Sequence, residues 1–180
     1  LSKPNKILVI IQRSNGDVLL SLPLISALYT NLNSPIIDLL VNDDTLEVSR
    51  RLPFIDKIHT FSYTEKKNNR LKQEFRLLGS IVRKYDLSIC LTASDRSVLY
   101  SIFASKISIG AVEKDKSKSW WKRVLLKHFY IFNSSRHIRL NNLEPLRILN
   151  LKLDLAQESR ISSQAARIEI SAKLKKAGIK

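Results

Sequence analysis

The residues best placed to do chemistry are Ser14-Asn15-Gly16-Asp17, a polar stretch directly after the run Lys6-Ile-Leu-Val-Ile-Ile-Gln12. A β-branched apolar run of that kind suits a strand buried on both faces of a parallel sheet. In open parallel sheets, ligands gather where loops leave the carboxyl ends of strands, and this stretch stands at such a place. Gly16 allows the backbone to turn tightly or to approach a ligand closely. Asp17 falls where the following helix should begin. A carboxylate there has two uses: it can cap the helix, a contribution of about 1 kcal/mol, or it can act on a bound molecule. Residue type and spacing alone leave both open.

Other chemistries fail on spacing. The four glycines, Gly16, Gly79, Gly110 and Gly178, cannot be assembled into a GxGxxG fingerprint or a Walker A loop. No GxSxG elbow occurs, and Cys90 has no evident histidine partner. His59, His128 and His137 make no metal-ligand spacing with carboxylates or with Cys90, and Asp43-Asp44 lacks the DxD spacing of metal-using transferases. No metal site is expected.

The elements that must position the Gly16-Asp17 loop follow a repeating pattern. Val18 to Tyr29 reads as a helix despite Pro23, because a proline in the first turns loses little. Ile36 to Val41 is a second strand, followed by a short helix over Leu46 to Leu52. Ile55 to Phe61, with charged residues interleaved, is a third strand near a sheet edge. A charged helix begins near Lys66 and runs through Phe75 to Tyr85. Leu87 to Leu91 is a fourth strand, Arg96 to Ala104 a fourth helix, and Ile107 to Gly110 a short fifth strand. Strands alternating with helices imply parallel pairing and right-handed crossovers. The expected fold class is therefore α/β, a Rossmann-like parallel sheet flanked by helices.

Beyond Gly110 the pattern changes. Glu113 to Ser119 reads as a lysine-rich loop, Trp120 to Phe132 as a helix, and Leu143 to Leu151 as another. Trp120 and Trp121, with Lys122, Arg123, Lys127 and Phe129, fit an amphipathic segment at a membrane surface. They fit a helix whose apolar side closes the core equally well. From Gln157 the chain is polar and basic, with an exposed helix expected around Ala165 to Lys176. We divide it into a domain over 1–155 and a linker over 156–180.

With 180 residues there is room for one domain with a sizeable core. No run of eighteen apolar residues is present, and Leu1 to Lys6 lacks the layout of a signal peptide. The chain opens on Leu1 and contains no Met, so it is expected to be a trimmed piece of something longer. A single cysteine fits a reducing, cytoplasmic compartment. Lys and Arg number 31 against 16 Asp and Glu, a formal net charge of +15. Such a balance attracts anions: nucleic acid, anionic lipid headgroups or a phosphorylated substrate.

The stretch from Lys6 to Leu28 resembles the opening of the glycosyltransferase family 9 heptosyltransferases, where a strand leads to a Ser-rich loop, Gly-Asp, and a helix carrying Leu-Pro. Gly16-Asp17 and Leu22-Pro23 stand at the matching spacing. Ile37 to Val41, Leu52-Pro-Phe-Ile-Asp-Lys-Ile58, and Tyr85-Asp-Leu-Ser-Ile-Cys-Leu91 with Arg96-Ser97 resemble three further segments of that family, in the same order. The match runs from Lys6 to Leu151. The sequence departs from the pattern in Arg13 and Asn15, and in Leu91-Thr-Ala-Ser94, which puts Cys90 at the position of an acid.

The resemblance implies the amino-terminal, acceptor-binding half of a GT-B enzyme that inverts configuration without a metal or other cofactor. It implies Asp17 as general base. The nucleotide-sugar donor, ADP-heptose, would be held mainly by a carboxyl-terminal domain outside this chain, so this chain alone would not turn over. The acceptor would be the lipid-linked, anionic inner core of lipopolysaccharide, reached at the cytoplasmic face of the bacterial inner membrane. Arg13, Ser14, Asn15 and Gly16 would line the acceptor site. Lys66, Lys67 and Arg70 fall where family members carry basic acceptor-binding residues; Arg96, Lys118, Arg123 and Arg136 follow by position. A basic module for nucleic acid is a rival, although no helix-turn-helix, zinc-finger or RNP-type signature is present. So is another GT-B enzyme such as a nucleotide-sugar epimerase.

Overall fold

A computed structural model of the chain describes residues 4–153. Six parallel strands form one sheet in the order β3-β2-β1-β4-β5-β6: β1 Lys6–Ile11, β2 Ile36–Asn42, β3 Lys57–Phe61, β4 Leu87–Cys90, β5 Ile107–Val112 and β6 His128–Ile131. The chain starts at the centre, builds outward through β2 to β3, then crosses back beside β1 and builds outward the other way. The β1–β4 boundary is thus the topological switch point, where loops leave in opposite directions and open a crevice.

The β1 strand is central because it is apolar on both faces; Ile7, Val9 and Ile11 pack into one core cluster, Leu8 and Ile10 into the other. Its register to β2 pairs Lys6 with Ile36 and Ile11 with Val41, and to β4 pairs Ile7 with Leu87 and Ile10 with Cys90.

Helices cover both faces. On one lie α1 (Asn15–Leu19), α2 (Leu22–Asn31), α3 (Leu46–Ser49) and, after α7 (Ile138–Asn142), α8 (Glu144–Ile148). On the other lie α4 (Tyr63–Ile81), α5 (Asp95–Ala104) and α6 (Lys116–Leu125).

Several sequence expectations need correcting. The helix expected over Val18 to Tyr29 is two helices. Pro23 lacks an N–H and its ring crowds the carbonyl of Leu19, so the ladder breaks at Leu20-Ser21 and restarts with Pro23 in the first turn. The lysine-rich loop contains the start of α6, capped by Asp115, whose Oδ1 accepts from Ser117 N at 2.9 Å. The helix expected over Trp120 to Phe132 ends at Leu125, and the chain turns into a sixth strand. Gly110 makes that turn possible: a Cβ there would lie 2.7 Å from Leu126 Cδ1. Within Leu143 to Leu151, the helix is confined to Glu144–Ile148. The linker over 156–180 and the helix around Ala165 to Lys176 lie outside the described residues.

Candidate functional site

The site grows from the end of β1. Ser14, with extended backbone, is the N-cap of α1, and Asp17 is its third residue. Ser14 Oγ accepts from Asp17 N at 3.4 Å, and Asp17 Oδ2 accepts from Ser14 N at 3.4 Å, a reciprocal capping box. The cap itself is therefore Ser14, not Asp17. Ser14 Oγ also donates to Asp17 Oδ2 at 3.0 Å, and Arg13 Nε lies 3.2 Å from the same oxygen. Among the described residues, every polar contact of this carboxylate falls on Oδ2. Among the described residues Oδ1 makes no hydrogen bond.

Arg13 is held in turn, its guanidinium 4.9 Å from the Phe132 ring centroid. Asn15 and Gly16 are exposed. A Cβ at Gly16 would meet nothing nearer than Ser14 Oγ at 3.9 Å. The fold itself therefore makes no steric demand for glycine at that position.

The floor of the crevice is a polar bridge. Gln12 directly follows β1, buried, and its N–H donates to Thr92 Oγ1 at 3.1 Å. Its side chain accepts from Ser97 Oγ at 2.7 Å and faces Asn42 Oδ1 at 3.5 Å. The ends of β1, β2 and β4 are thereby tied to α5. Sequence reasoning passed over Gln12, Asn42, Thr92 and Ser97. The available signal was a glutamine closing an otherwise apolar central strand.

Lys122 was also missed as a structural element. It is fully buried, and its Nζ donates to Ala93 O at 2.5 Å and to both Glu113 carboxylate oxygens at 2.8 Å, and forms an ion pair with Asp95 Oδ1 at 2.7 Å. One ammonium thus clamps the loop after β4 to the loop after β5. Below it, burial pushes the Cys90 thiol up to about 12, against the opposing effects of the Thr92 backbone and the Lys122 charge. At neutral pH Cys90 is a protonated core thiol without nucleophilic character.

Parallel topology brings the other candidates to this same edge. Lys66, Lys67 and Arg70 lie in the front half of α4, which starts directly after β3; Arg70 is exposed, and the side chains of Lys66 and Lys67 lie outside the described residues. That front half is braced by Gln73, which donates to Ser62 O at 2.9 Å and accepts from Ser62 N at 2.6 Å, and it kinks at Asn69. Arg96 stands in the first turn of α5 with its guanidinium 3.7 Å from the Phe61 ring centroid and its Nη2 3.4 Å from Tyr63 OH. Lys118 is exposed in the first turn of α6.

Two candidates are engaged internally. Arg123 lies in the second half of α6 and braces the loop after β5, donating to Ser119 Oγ at 2.9 Å and Glu113 O at 3.0 Å. Arg136, in the loop after β6, pairs with Glu144 at 2.7 Å. Among the described residues, no three His, Cys, Asp or Glu side chains gather into a metal-holding group.

No family model matches the chain, and no curated protein matches it in sequence. Solved structures do match it in fold. A glycosyltransferase family 9 protein from Veillonella parvula aligns at a TM-score of 0.67 and 18% identity, over 84% of this chain and 43% of that one. The heptosyltransferase WaaC of E. coli, solved with ADP-2-deoxy-2-fluoro heptose, aligns at a TM-score of 0.69 and 14% identity, over 83% of this chain and 50% of its own. The E. coli ADP-heptose LPS heptosyltransferase II aligns at a TM-score of 0.54 and 22% identity, over 72% and 36%. The chain spans between 36% and 50% of the length of these three proteins. It folds as a Rossmann-like α/β unit of the kind those glycosyltransferase family 9 and heptosyltransferase structures contain.

Proposed function

We propose that this chain is the acceptor-binding half of an inverting, heptosyltransferase-type glycosyltransferase, with Asp17 as general base. The observation that carries this reading is the state of Asp17: at the switch point of the sheet, Oδ2 is held by Ser14 and Arg13 while Oδ1 has no partner among the described residues. A carboxylate serving only to cap α1 would need Oδ2 alone.

In the proposed reaction Oδ1 takes the proton of an acceptor hydroxyl as that oxygen bonds to the anomeric carbon. The anomeric carbon–phosphate oxygen bond breaks on the opposite face, and the nucleoside diphosphate leaves with the bonding pair. General-base assistance of this kind contributes ~10²–10⁴-fold. Gly16 leaves open space beside Asp17 that the fold does not need, and we assign that space to the acceptor. The donor, a nucleotide-sugar of the ADP-heptose type, would be held mainly by a second domain. The basic residues of the edge, Arg13, Lys66, Lys67, Arg70, Arg96 and Lys118 among them, would face an anionic, lipid-linked saccharide. The reaction would run at the inner face of the bacterial inner membrane without a metal. Two neighbours were solved with ADP or an ADP-heptose analogue, which supports the donor class.

The test is sugar transfer by this chain joined to its donor-binding half, supplied with ADP-heptose and a lipid-linked core acceptor. Release of ADP is followed together with acceptor mass. Asp17→Asn should lower kcat at least about a hundredfold with an unchanged melting temperature, since asparagine still accepts from Ser14 N. Gly16→Ala should lower transfer while leaving stability equal or higher. Undiminished transfer by Asp17→Asn returns Asp17 to a structural role. Absence of transfer by the wild type across several nucleotide-sugars overturns the reading.

A further inference from the structure

The helices α4, α5 and α6 lie side by side on one face of the sheet, α4 against α5 and α5 against α6. Side-chain contacts lock them together: Tyr100 of α5 donates to Glu74 of α4, and Lys122 of α6 pairs with Asp95 of α5. Each turns an apolar i,i+4 pair outward. The pairs are Leu71 and Phe75 at 72% and 74% exposed, Leu99 and Phe103 at 38% and 44%, and Trp120 and Val124 at 64% and 72%. Leu125 and, on the edge strand β6, Phe129 and Ile131 extend the band beyond α6. Residues four apart share one side of a helix, so three adjacent pairs make a band rather than scattered exceptions. Contiguous exposed apolar surface of this kind marks an interaction site.

The charges around the band select the partner. Lys72, Lys116, Lys118 and Lys127 are exposed along it. The acids of the same layer are already engaged: Glu65 with Arg76, Glu74 with Tyr100, Asp95 and Glu113 with Lys122, and Asp115 as the cap of α6. Protein–protein interfaces are depleted in lysine. Aromatic and aliphatic residues bordered by lysines are the composition of surfaces that lie in the headgroup zone of an anionic bilayer, with lysine stems along apolar surface and ammonium groups on phosphates. Among the described residues no helix is long and apolar enough to cross a membrane, so the contact would be with one leaflet.

We propose that the outer face of α4, α5 and α6 docks on an anionic phospholipid surface, with Trp120 entering the interface and Trp121 staying partly buried against the core of this layer. The inference rests on the reading above only for its purpose, which is to bring the loop edge to a membrane-borne acceptor. Its test needs no sugar substrate, so failure of one does not decide the other.

The chain contains two tryptophans, so each can be watched alone. In Trp121→Phe, the emission of Trp120 should shift to the blue on vesicles of phosphatidylcholine with about 30% phosphatidylglycerol, and binding to pure phosphatidylcholine should be at least about tenfold weaker. In Trp120→Phe, the remaining Trp121 should not respond. A Phe75→Ser/Phe103→Ser/Trp120→Ser variant should keep its circular dichroism and lose at least about tenfold in vesicle affinity. The proposal fails if anionic vesicles are not bound, if that variant binds as well as wild type, or if Trp121 shifts as much as Trp120. It also fails if Trp120 shifts with protein concentration alone and sedimentation gives a dimer. Loss of vesicle binding once the donor-binding half is joined overturns it too, because the band would then be an interdomain surface.

Discussion

The two helix layers on this sheet both cover apolar cores but differ in how much polar structure lies beneath them. On the face of α1, α2, α3 and α8, the strands present apolar residues: Ile7, Val9, Ile11, Ile37, Leu39, Val41, Leu87, Ile89, Ile109 and Ala111. Every residue of α2 from Leu22 to Leu28 is buried, because α8 and the segment through Leu151 and Leu153 close over it. The buried hydroxyls there mostly bond within their own chain segment, as Ser21 does to Val18 O at 2.6 Å and Ser49 to Thr45 O at 2.9 Å.

The face of α4, α5 and α6 has an apolar core too, with Leu8, Ile10, Leu40, Phe61 and Val112 from the strands and Leu77, Ile81, Val98 and Leu126 over them, but its strands also present Lys6, Asp38, His59, Ser88 and Ser108. Tyr85 OH donates to Asp38 Oδ2 at 2.7 Å and meets His59 Nε2 at 2.9 Å, and His59 Nδ1 meets Ser80 Oγ at 3.1 Å. Ser88 donates to Ser101 O at 2.7 Å. The lesson is that one layer is held almost wholly by dispersion and apolar burial, whereas the other adds directional bonds between elements to its apolar core.

The largest effect should separate the layers directly. Leu24→Ala, in the sealed helix, should cost about 2–5 kcal/mol, whereas Phe75→Ala on the open layer should stay within about 0.5 kcal/mol. Urea denaturation of both variants measures this, and equal costs would abolish the distinction. Next, Lys122→Met should cost about 1–3 kcal/mol by leaving Ala93 O and two carboxylates without their donor. Hydrogen exchange should rise in 91–95 and 113–116, and confinement of the change to α6 would show that the lysine holds its helix but not the loops.

A smaller effect depends on pH. Burial raises the Asp38 carboxyl, but the His59 imidazole 3.9 Å away, the bond from Tyr85 and the Lys6 charge outweigh it, and the net shift is downward. A depressed carboxylate stabilises the fold above its unfolded value and loses that stabilisation as pH falls through its folded value. Stability should therefore fall below about pH 4, and Asp38→Asn should be less stable at neutral pH with a shallower acid decline. An unchanged acid limb in that variant would take the polar network out of the account. Smallest of all, Cys90 should react with thiol reagents only as the chain unfolds, with no change on labelling the native protein.

Much of this fold was legible because strand and helix periods are local properties. The run from Lys6 to Ile11 read as a strand buried on both faces, as it is, and the alternation of Ser88 and Cys90 with Leu87 and Ile89 already carried the difference between the faces. Pro23 was read as harmless in one long helix, but a proline's effect depends on which carbonyl its ring meets. The β6 strand was missed because four residues with an aromatic pair carry no period that outweighs the amphipathic run before them. Its approach to β5 is eased by Gly110, where a Cβ would crowd the Leu126 side chain sixteen residues away.

The sequence by itself determined the parallel α/β class, the polar loop after the first strand and the positive charge, since each follows from residue type and near-neighbour spacing. Tertiary structure decided which atoms do what. It gave the cap to Ser14 and left Oδ1 of Asp17 without a partner among the described residues; it buried Lys122 between two loops and occupied Arg123 and Arg136. It turned Trp121 inward and Trp120 out. Neighbouring residues on one helix point in different directions, and only the elements packed around that helix determine which direction is inside.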